Sequence, residues 1–247
     1  MKSSRSAAFV ACIVAVCLAA QEHGFADSTT TPTVPIGWLT SSTNLVRAGK
    51  TTGLKWNITY PSTVTDYISV TGTSTVVPKE NIDMEVRVLG AGVTTSNSNG
   101  SNLTFVPTEA CISVAGGDYK RIFYGSNPSV QPDKVVFSAS VKPSQSIRFG
   151  GRYYYNNGWS TFYSSSSGTN NVRTLVDGQT PPTTYPLYTA PSLESFLKPF
   201  LDGAGKVKIG PMDVIVFMEL THTDAQMNNQ GYDLQDMVLL VTFKAKK

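Results

Sequence analysis

VIVFMELTHTDAQMNNQGYDLQDMVLLVTF, residues 214–243, decides how this chain is to be read. Its two ends, 214–220 and 237–243, are strongly apolar, and the piece between them is polar and rich in turn residues. A hairpin with a long loop is the simplest account. Apolar residues at nearly every position, rather than every second one, imply strands buried on both faces, as in the middle of a sheet or sandwich.

Working outward, strand-like runs recur at short intervals: 67–70, 84–89, 103–106, 111–114, 119–124, 134–140 and 147–155. Turn-rich pieces such as 94–102 and 125–128 separate them. Short strands with regular turn signals predict a mainly β, antiparallel β-sandwich, immunoglobulin-like or jelly-roll-like. One short helix is expected near 192–202. Ser192 can cap it, Leu193, Phe196, Leu197, Phe200 and Leu201 fall at helical spacing, and Gly203 suits the exit. The preceding piece, 179–191, carries four prolines and reads as an ordered crossing or linker.

Near the start, Leu54, Trp56 and Ile58 alternate with Lys55 and Asn57, the period of a half-buried strand, and Ala48-Gly49-Lys50 reads as a turn before it. The V-x-A-G-x-x-x-x-L-x-W pattern of Val46 to Trp56 resembles the first two strands of bacterial immunoglobulin-like or fibronectin-III-like sandwich modules. That resemblance implies a glycine that turns the chain and a tryptophan that fills the core. The chain as a whole also resembles secreted bacterial proteins, a likeness that brings no activity with it.

The first residues read as a secretory signal peptide: Lys2 and Arg5, an uncharged apolar run over 7–20, then Gly24 and Ala26 at a cleavage-site spacing. Such a run is shorter than the ~20 residues of a spanning helix. Cleavage is expected after Ala26, with Ala20 as the alternative. The chain then divides into a signal peptide (1–26), a flexible leader (27–35) and a β-sandwich unit (36–247). That unit is either continuous or two docked subdomains, 36–180 and 181–247. The expected location is secreted, periplasmic or cell surface.

Processing removes two of the 20 basic and one of the 17 acidic residues, leaving a net charge near +2. A near-neutral chain argues against nucleic acid as a partner, and no membrane span is expected after cleavage. Lys244, Lys246 and Lys247 read as a solvated basic tail. Cys111 is the one cysteine left, in a strand-like run where it serves as a buried small hydrophobe, so the fold rests on its core without disulfides.

His222 is the one histidine beyond the signal, which leaves no histidine-rich zinc set, and no nucleophile motif accompanies it. Glu219, Asp224, Asp233 and Asp236 gather around the final loop, where hard oxygen ligands suit calcium; Asp224, Asp233 and Asp236 are the candidates. Strand alternation would put Glu219 on the face opposite His222, and solvated loop charges are the competing account. A carboxylate pair acting as in a glycoside hydrolase can be drawn from 16 acidic residues, but no motif selects one. No catalytic activity and no cofactor beyond calcium are expected. Three sequons, at Asn57, Asn99 and Asn102, matter only in a eukaryotic host.

The candidate binding feature is GGRYYYNNGWSTFY, residues 150–163. With Asn157 and Gly158 as the central pair of a primed turn, Tyr155 faces Ser160, Tyr154 faces Thr161 and Tyr153 faces Phe162. One reading is a hairpin stapled by aromatics. The other is a ligand surface: Tyr153, Tyr154, Tyr155, Trp159 and Tyr163 offering rings to a sugar, with Arg152, Asn156 and Asn157 bonding its hydroxyls. Tyr185 and Tyr188 could extend it. The expectation is an exported binding protein for polysaccharide or another extracellular ligand. The alternatives are a structural subunit contacting protein partners in an envelope or extracellular assembly, and the carboxylate-dependent hydrolase.

Overall fold

The two apolar runs of the closing hairpin pair side by side, with Val214 opposite Val241 and Phe217 opposite Val238. They are β15 (Asp213–Met218) and β16 (Met237–Ala245). The computed structural model describes residues 36–41, 54–59, 62–95, 104–182, 196, 198–229 and 231–246. Outside these lie the signal peptide, the leader, the turn at 48–50, Asn99, Asn102, Tyr185, Tyr188, most of the expected helix, and Lys247.

Chain order begins with β1 (Ile36–Ser41) and β2 (Leu54–Thr59), which pair antiparallel, then α1 (Val64–Tyr67), β3 (Ile68–Thr71), β4 (Thr75–Pro78) and β5 (Ile82–Gly90). The small pair β6 (Thr94–Thr95) and β7 (Thr104–Phe105) follows, then β8 (Thr108–Val114), β9 (Lys120–Gly125) and β10 (Val135–Val141). Next come β11 (Ile147–Tyr155), β12 (Gly158–Trp159), β13 (Tyr163–Ser164) and β14 (Val172–Val176). One sheet runs β10-β5-β16-β15-β14 and the other β3-β4-β11-β8-β9, with β12 and β13 also on β11. Their ladders are antiparallel throughout. The mainly β, antiparallel sandwich expected from the sequence is the observed fold. The first sheet joins β5, β10 and β14 to β15 and β16, so a boundary at 180 would cut through it.

The main core forms where the two sheets meet. Met84, Val86, Val216, Leu239 and Phe243 of one sheet pack with Val76, Ala110, Ile112, Ile147 and Phe149 of the other. These are every-second residues of their strands, as the two-residue period of a strand requires. The intervening residues of β15 and β16, Ile215, Phe217 and Val238, are also buried, in a second core with Phe196, Val207, Tyr232 and Leu234. Phe196 and the segments 198–209 and 232–234 therefore cover the outer face of the first sheet, which explains why these two strands are apolar on both sides.

The expected helix at 192–202 is represented among the described residues by a 3₁₀ turn at Lys198–Phe200, while the short α-helix stands at Val64–Tyr67. Phe196 and Phe200 both contribute to the second core. Gly90 fits this arrangement because any Cβ there would run into the Phe196 ring. The basic tail is also corrected. Lys244 belongs to β16 and pairs with Glu85 at 2.5 Å, and Lys246 pairs with Asp83 at 3.2 Å. Among the described residues no helix is long and apolar enough to cross a membrane.

Candidate functional site

The aromatic hairpin leaves the end of β11. Its register is Tyr154 opposite Trp159 and Tyr155 opposite Gly158, so the two turn residues are Asn156 and Asn157, one position earlier than the Asn-Gly pair suggests. Both adopt the left-handed region, with φ of 50° and 60°. Asparagine tolerates this because its short amide can bond the local backbone, and a type I′ turn needs it at both positions. The shift brings Trp159, not Thr161, next to Tyr154.

Beyond β12 the chain is stitched back onto β11 by serines. Ser160 Oγ accepts from Tyr153 N at 3.0 Å, and Ser165 Oγ accepts from Phe149 N at 3.0 Å. Ser164 pairs with Gly150. Gly150 has no side chain, and the space is used by Phe162, whose ring would lie 2.7 Å from a Cβ built there. The loop 160–167 is thus held along the edge of β11, with the Phe162 ring beside Gly150 on the outer face.

That face carries an arginine–aromatic cluster on one carboxylate. Glu109 lies opposite Arg152 on β11 and Tyr124 on β9. Its side chain is buried, and Arg121 Nε and Arg152 Nε donate to its two oxygens, each at 2.6 Å. A buried carboxylate needs such partners to offset its lost hydration. The guanidiniums stay half open, at 50 % and 33 % side-chain exposure. Arg152 lies 4.3 Å from the Trp159 ring centroid, and Arg121 lies 5.5 Å from it and 5.1 Å from Tyr124. Trp159 also meets Tyr154 edge-on at 5.2 Å and Tyr124 at 5.7 Å. Tyr119 and Phe162 meet at 5.1 Å beside them. Tyr124 and Trp159 remain exposed, at 47 % and 38 %.

Of the expected binding residues, Arg152, Tyr154 and Trp159 come together. Tyr153 and Tyr163 turn to the main core instead, which follows from their places on the inward side of the ladder. Asn156 and Asn157 are exposed turn residues, and Tyr155 is exposed at the strand end without a ring partner among the described residues. Arg121, Tyr124 and Glu109 were missed, because the pairing with β8 and β9 joins positions tens of residues apart. One signal was available: Glu109 is a lone charge at the head of an otherwise apolar strand, TEACISV. Such a charge demands a cationic partner across the ladder. Cys111, on the same strand, is buried, and burial together with the Glu109 charge pushes its thiol up to about 11. It is therefore protonated at neutral pH and a poor nucleophile.

No known protein family, curated protein or solved structure matches this chain. A second candidate is the acidic loop between β15 and β16.

In that loop Glu219, Asp233 and Asp236 bring carboxylate oxygens within 4.8 Å of one another. The expectation of solvated loop charges is overturned: Glu219 and Asp236 are buried. So is the expectation that Glu219 and His222 lie on opposite faces, since β15 ends at Met218 and the chain then curls around the Glu219 carboxylate. Glu219 accepts from the backbone N–H of Thr221, His222 and Asp233 at 3.0–3.1 Å and from Thr221 Oγ1 at 2.6 Å. Its Oε1 lies 3.5 Å from His222 Nδ1. The Thr221 hydroxyl has one proton, given to the carboxylate, so His222 Nδ1 donates to it across 2.6 Å. Asp236 accepts from Leu220 N and Thr221 N at 2.6 and 3.1 Å. Asp224 stands apart from the trio, bonded to Asn170 and Tyr232.

Hard oxygens suit calcium, but most of these lone pairs are directed at the loop's own N–H groups, which gives the trio an anchoring role. Burial, followed by the Glu219 charge, raises Asp236 well above the ordinary carboxylate range, and burial raises Asp233 to about 7. The folded state therefore holds protons that an unfolded carboxyl, near 3.8, has released. The stability this contributes is complete below 3.8 and is lost as pH rises through about 7. The melting temperature is expected to fall between pH 5 and pH 8, read by calorimetry. Asp236→Asn, which keeps an acceptor for Leu220 and Thr221, should flatten the slope. A melting temperature that climbs over the same interval would contradict the assignment.

Proposed function

We propose that this is an exported, non-catalytic binding protein that works outside the cytoplasm and takes polysaccharide on the surface formed by Trp159, Tyr124 and Tyr154, with Arg121 and Arg152 beside them. One observation carries the reading: two large rings, Trp159 and Tyr124, stand exposed and 5.7 Å apart on the outer face of the second sheet. Adjacent exposed rings form a contiguous apolar patch, the kind of surface that marks a binding site. Sugars present flat C–H faces that stack on such rings and hydroxyls that accept from guanidinium donors. The platform is also rigid, because serine stitches and the Glu109 ion pairs fix it before a ligand arrives, which lowers the entropy cost of binding.

The test is a titration of residues 27–247 with soluble polysaccharides, followed by tryptophan fluorescence. A saturable change is expected, and Trp159→Ala should weaken it by about thirtyfold, the value of a central aromatic anchor near 2 kcal/mol. A protein that ignores the whole panel and instead self-associates as its concentration rises would replace this reading with that of an assembly subunit.

A further inference from the structure

We infer that the polysaccharide is acidic, with a carboxylate on its repeating sugar, and that Arg121 and Arg152 read this group. The inference rests on the binding reading above and narrows its ligand. The first observation is local charge. Two guanidiniums share one carboxylate, Glu109, so the cluster keeps one unmatched positive charge in a chain that is close to neutral overall. A surface serving neutral sugars alone would be completed more simply by uncharged hydroxyl and amide groups.

The second observation is the geometry of the donors. Each arginine uses Nε on Glu109, and the other four N–H groups of each guanidinium make no hydrogen bond among the described residues. Four N–H groups on a planar fork match a carboxylate with two parallel bonds, a geometry that Lys does not offer. The third observation is placement. The guanidiniums lie 4.3 Å and 5.5 Å from the Trp159 ring centroid. A uronate residue carries its carboxylate directly on the sugar ring. A ring stacked on Trp159 or Tyr124 therefore sets that carboxylate within reach of a guanidinium, so one unit engages both chemistries.

The experiment compares polygalacturonate, the same polymer after carboxyl reduction, dextran sulfate and poly-glutamate of similar charge, by calorimetry on the full mature chain. Polygalacturonate should bind about tenfold more tightly than its reduced form, as expected for a charge-assisted pair at a partly open site. Raising NaCl should weaken polygalacturonate alone. Arg121→Gln, at a half-exposed position whose loss leaves the Arg152–Glu109 pair in place, should remove most of the difference between the native and the reduced polymer. The salt series gives the same answer should that variant fold poorly. Equal affinity for native and reduced polymer would overturn the acidic ligand while keeping a neutral glycan. Equal binding of poly-glutamate or dextran sulfate would overturn it in favour of a surface that senses charge without sugar. Silence across all four would overturn the binding reading itself.

Discussion

Replacing Phe217 with Ala is expected to lower the unfolding free energy by about 3–5 kcal/mol, among the largest single-residue losses in the molecule. Phe217 is fully buried on β15, yet it belongs to the second core with Phe196, Val207, Tyr232 and Val238, not to the main core between the sheets. Truncation removes a phenyl ring from a site whose walls come from three separate pieces of chain. Those pieces are themselves pinned: Val207 N donates to Gln179 O at 2.9 Å, and Gly178 N donates to Val207 O at 2.7 Å. The cavity therefore collapses poorly and the full cost remains. Urea unfolding at an unchanged slope reads the effect. Val135→Ala, on an exposed edge position, should stay within ~0.5 kcal/mol. A Phe217→Ala loss below ~1 kcal/mol would mean that Phe196 and the segments 198–209 and 232–234 do not close this face of the sheet.

The second large effect belongs to Glu109→Gln. Glutamine keeps the volume but offers one acceptor oxygen where two arginines bind, and it turns an N–H₂ toward the other guanidinium. Breaking a buried ion pair costs ~3–5 kcal/mol when the orphaned charge stays buried. Here Arg121 and Arg152 are half open and can recover water, so the loss should be nearer ~2 kcal/mol. Ligand affinity should fall alongside stability, because the arginines no longer share a fixed anchor beside Trp159. Chemical denaturation and glycan titration of one variant give both numbers. Unchanged stability with normal binding would show that Glu109 does not organise the surface.

How much of this could be read from the chain alone depends on how local each signal is. β5, β8, β11, β15 and β16 were legible because their burial alternates or persists over six to nine residues. β4, TVVP, and β14, VRTLV, were passed over: they are short and flanked by turn and serine-rich pieces that dominate the local pattern. The helical spacing of Phe196 and Phe200 was real as a pattern, but those rings cover a sheet, and the backbone among the described residues forms only a 3₁₀ turn. Asn-Gly drew the hairpin register one step too far because it is the commoner primed-turn pair, although Asn-Asn can fill both left-handed positions.

The site divides along the same line. Arg152, Tyr154 and Trp159 were visible because seven positions of 150–163 carry an aromatic ring or a charge. Arg121 and Tyr124 reach them only through β8, which pairs with β9 on one side and on the other with β11, Glu109 and Arg152 being 43 residues apart in the chain. The acidic trio was visible as a cluster and misread in character. Treating 214–220 as strand to its end hid the curl at Glu219 that turns solvated charges into a buried anchor.

The most direct test of the binding surface is nuclear magnetic resonance of ¹⁵N-labelled residues 27–247 during addition of polygalacturonate fragments. The indole N–H of Trp159, the Nε–H of Arg121 and Arg152, and the amides of Tyr124 and Tyr154 are expected to move together with one dissociation constant. The indoles of Trp38 and Trp56 and the amides of the acidic loop are expected to stay still. Shifts that cluster on another face, or an unmoved Trp159 in the presence of saturating ligand, would contradict the account.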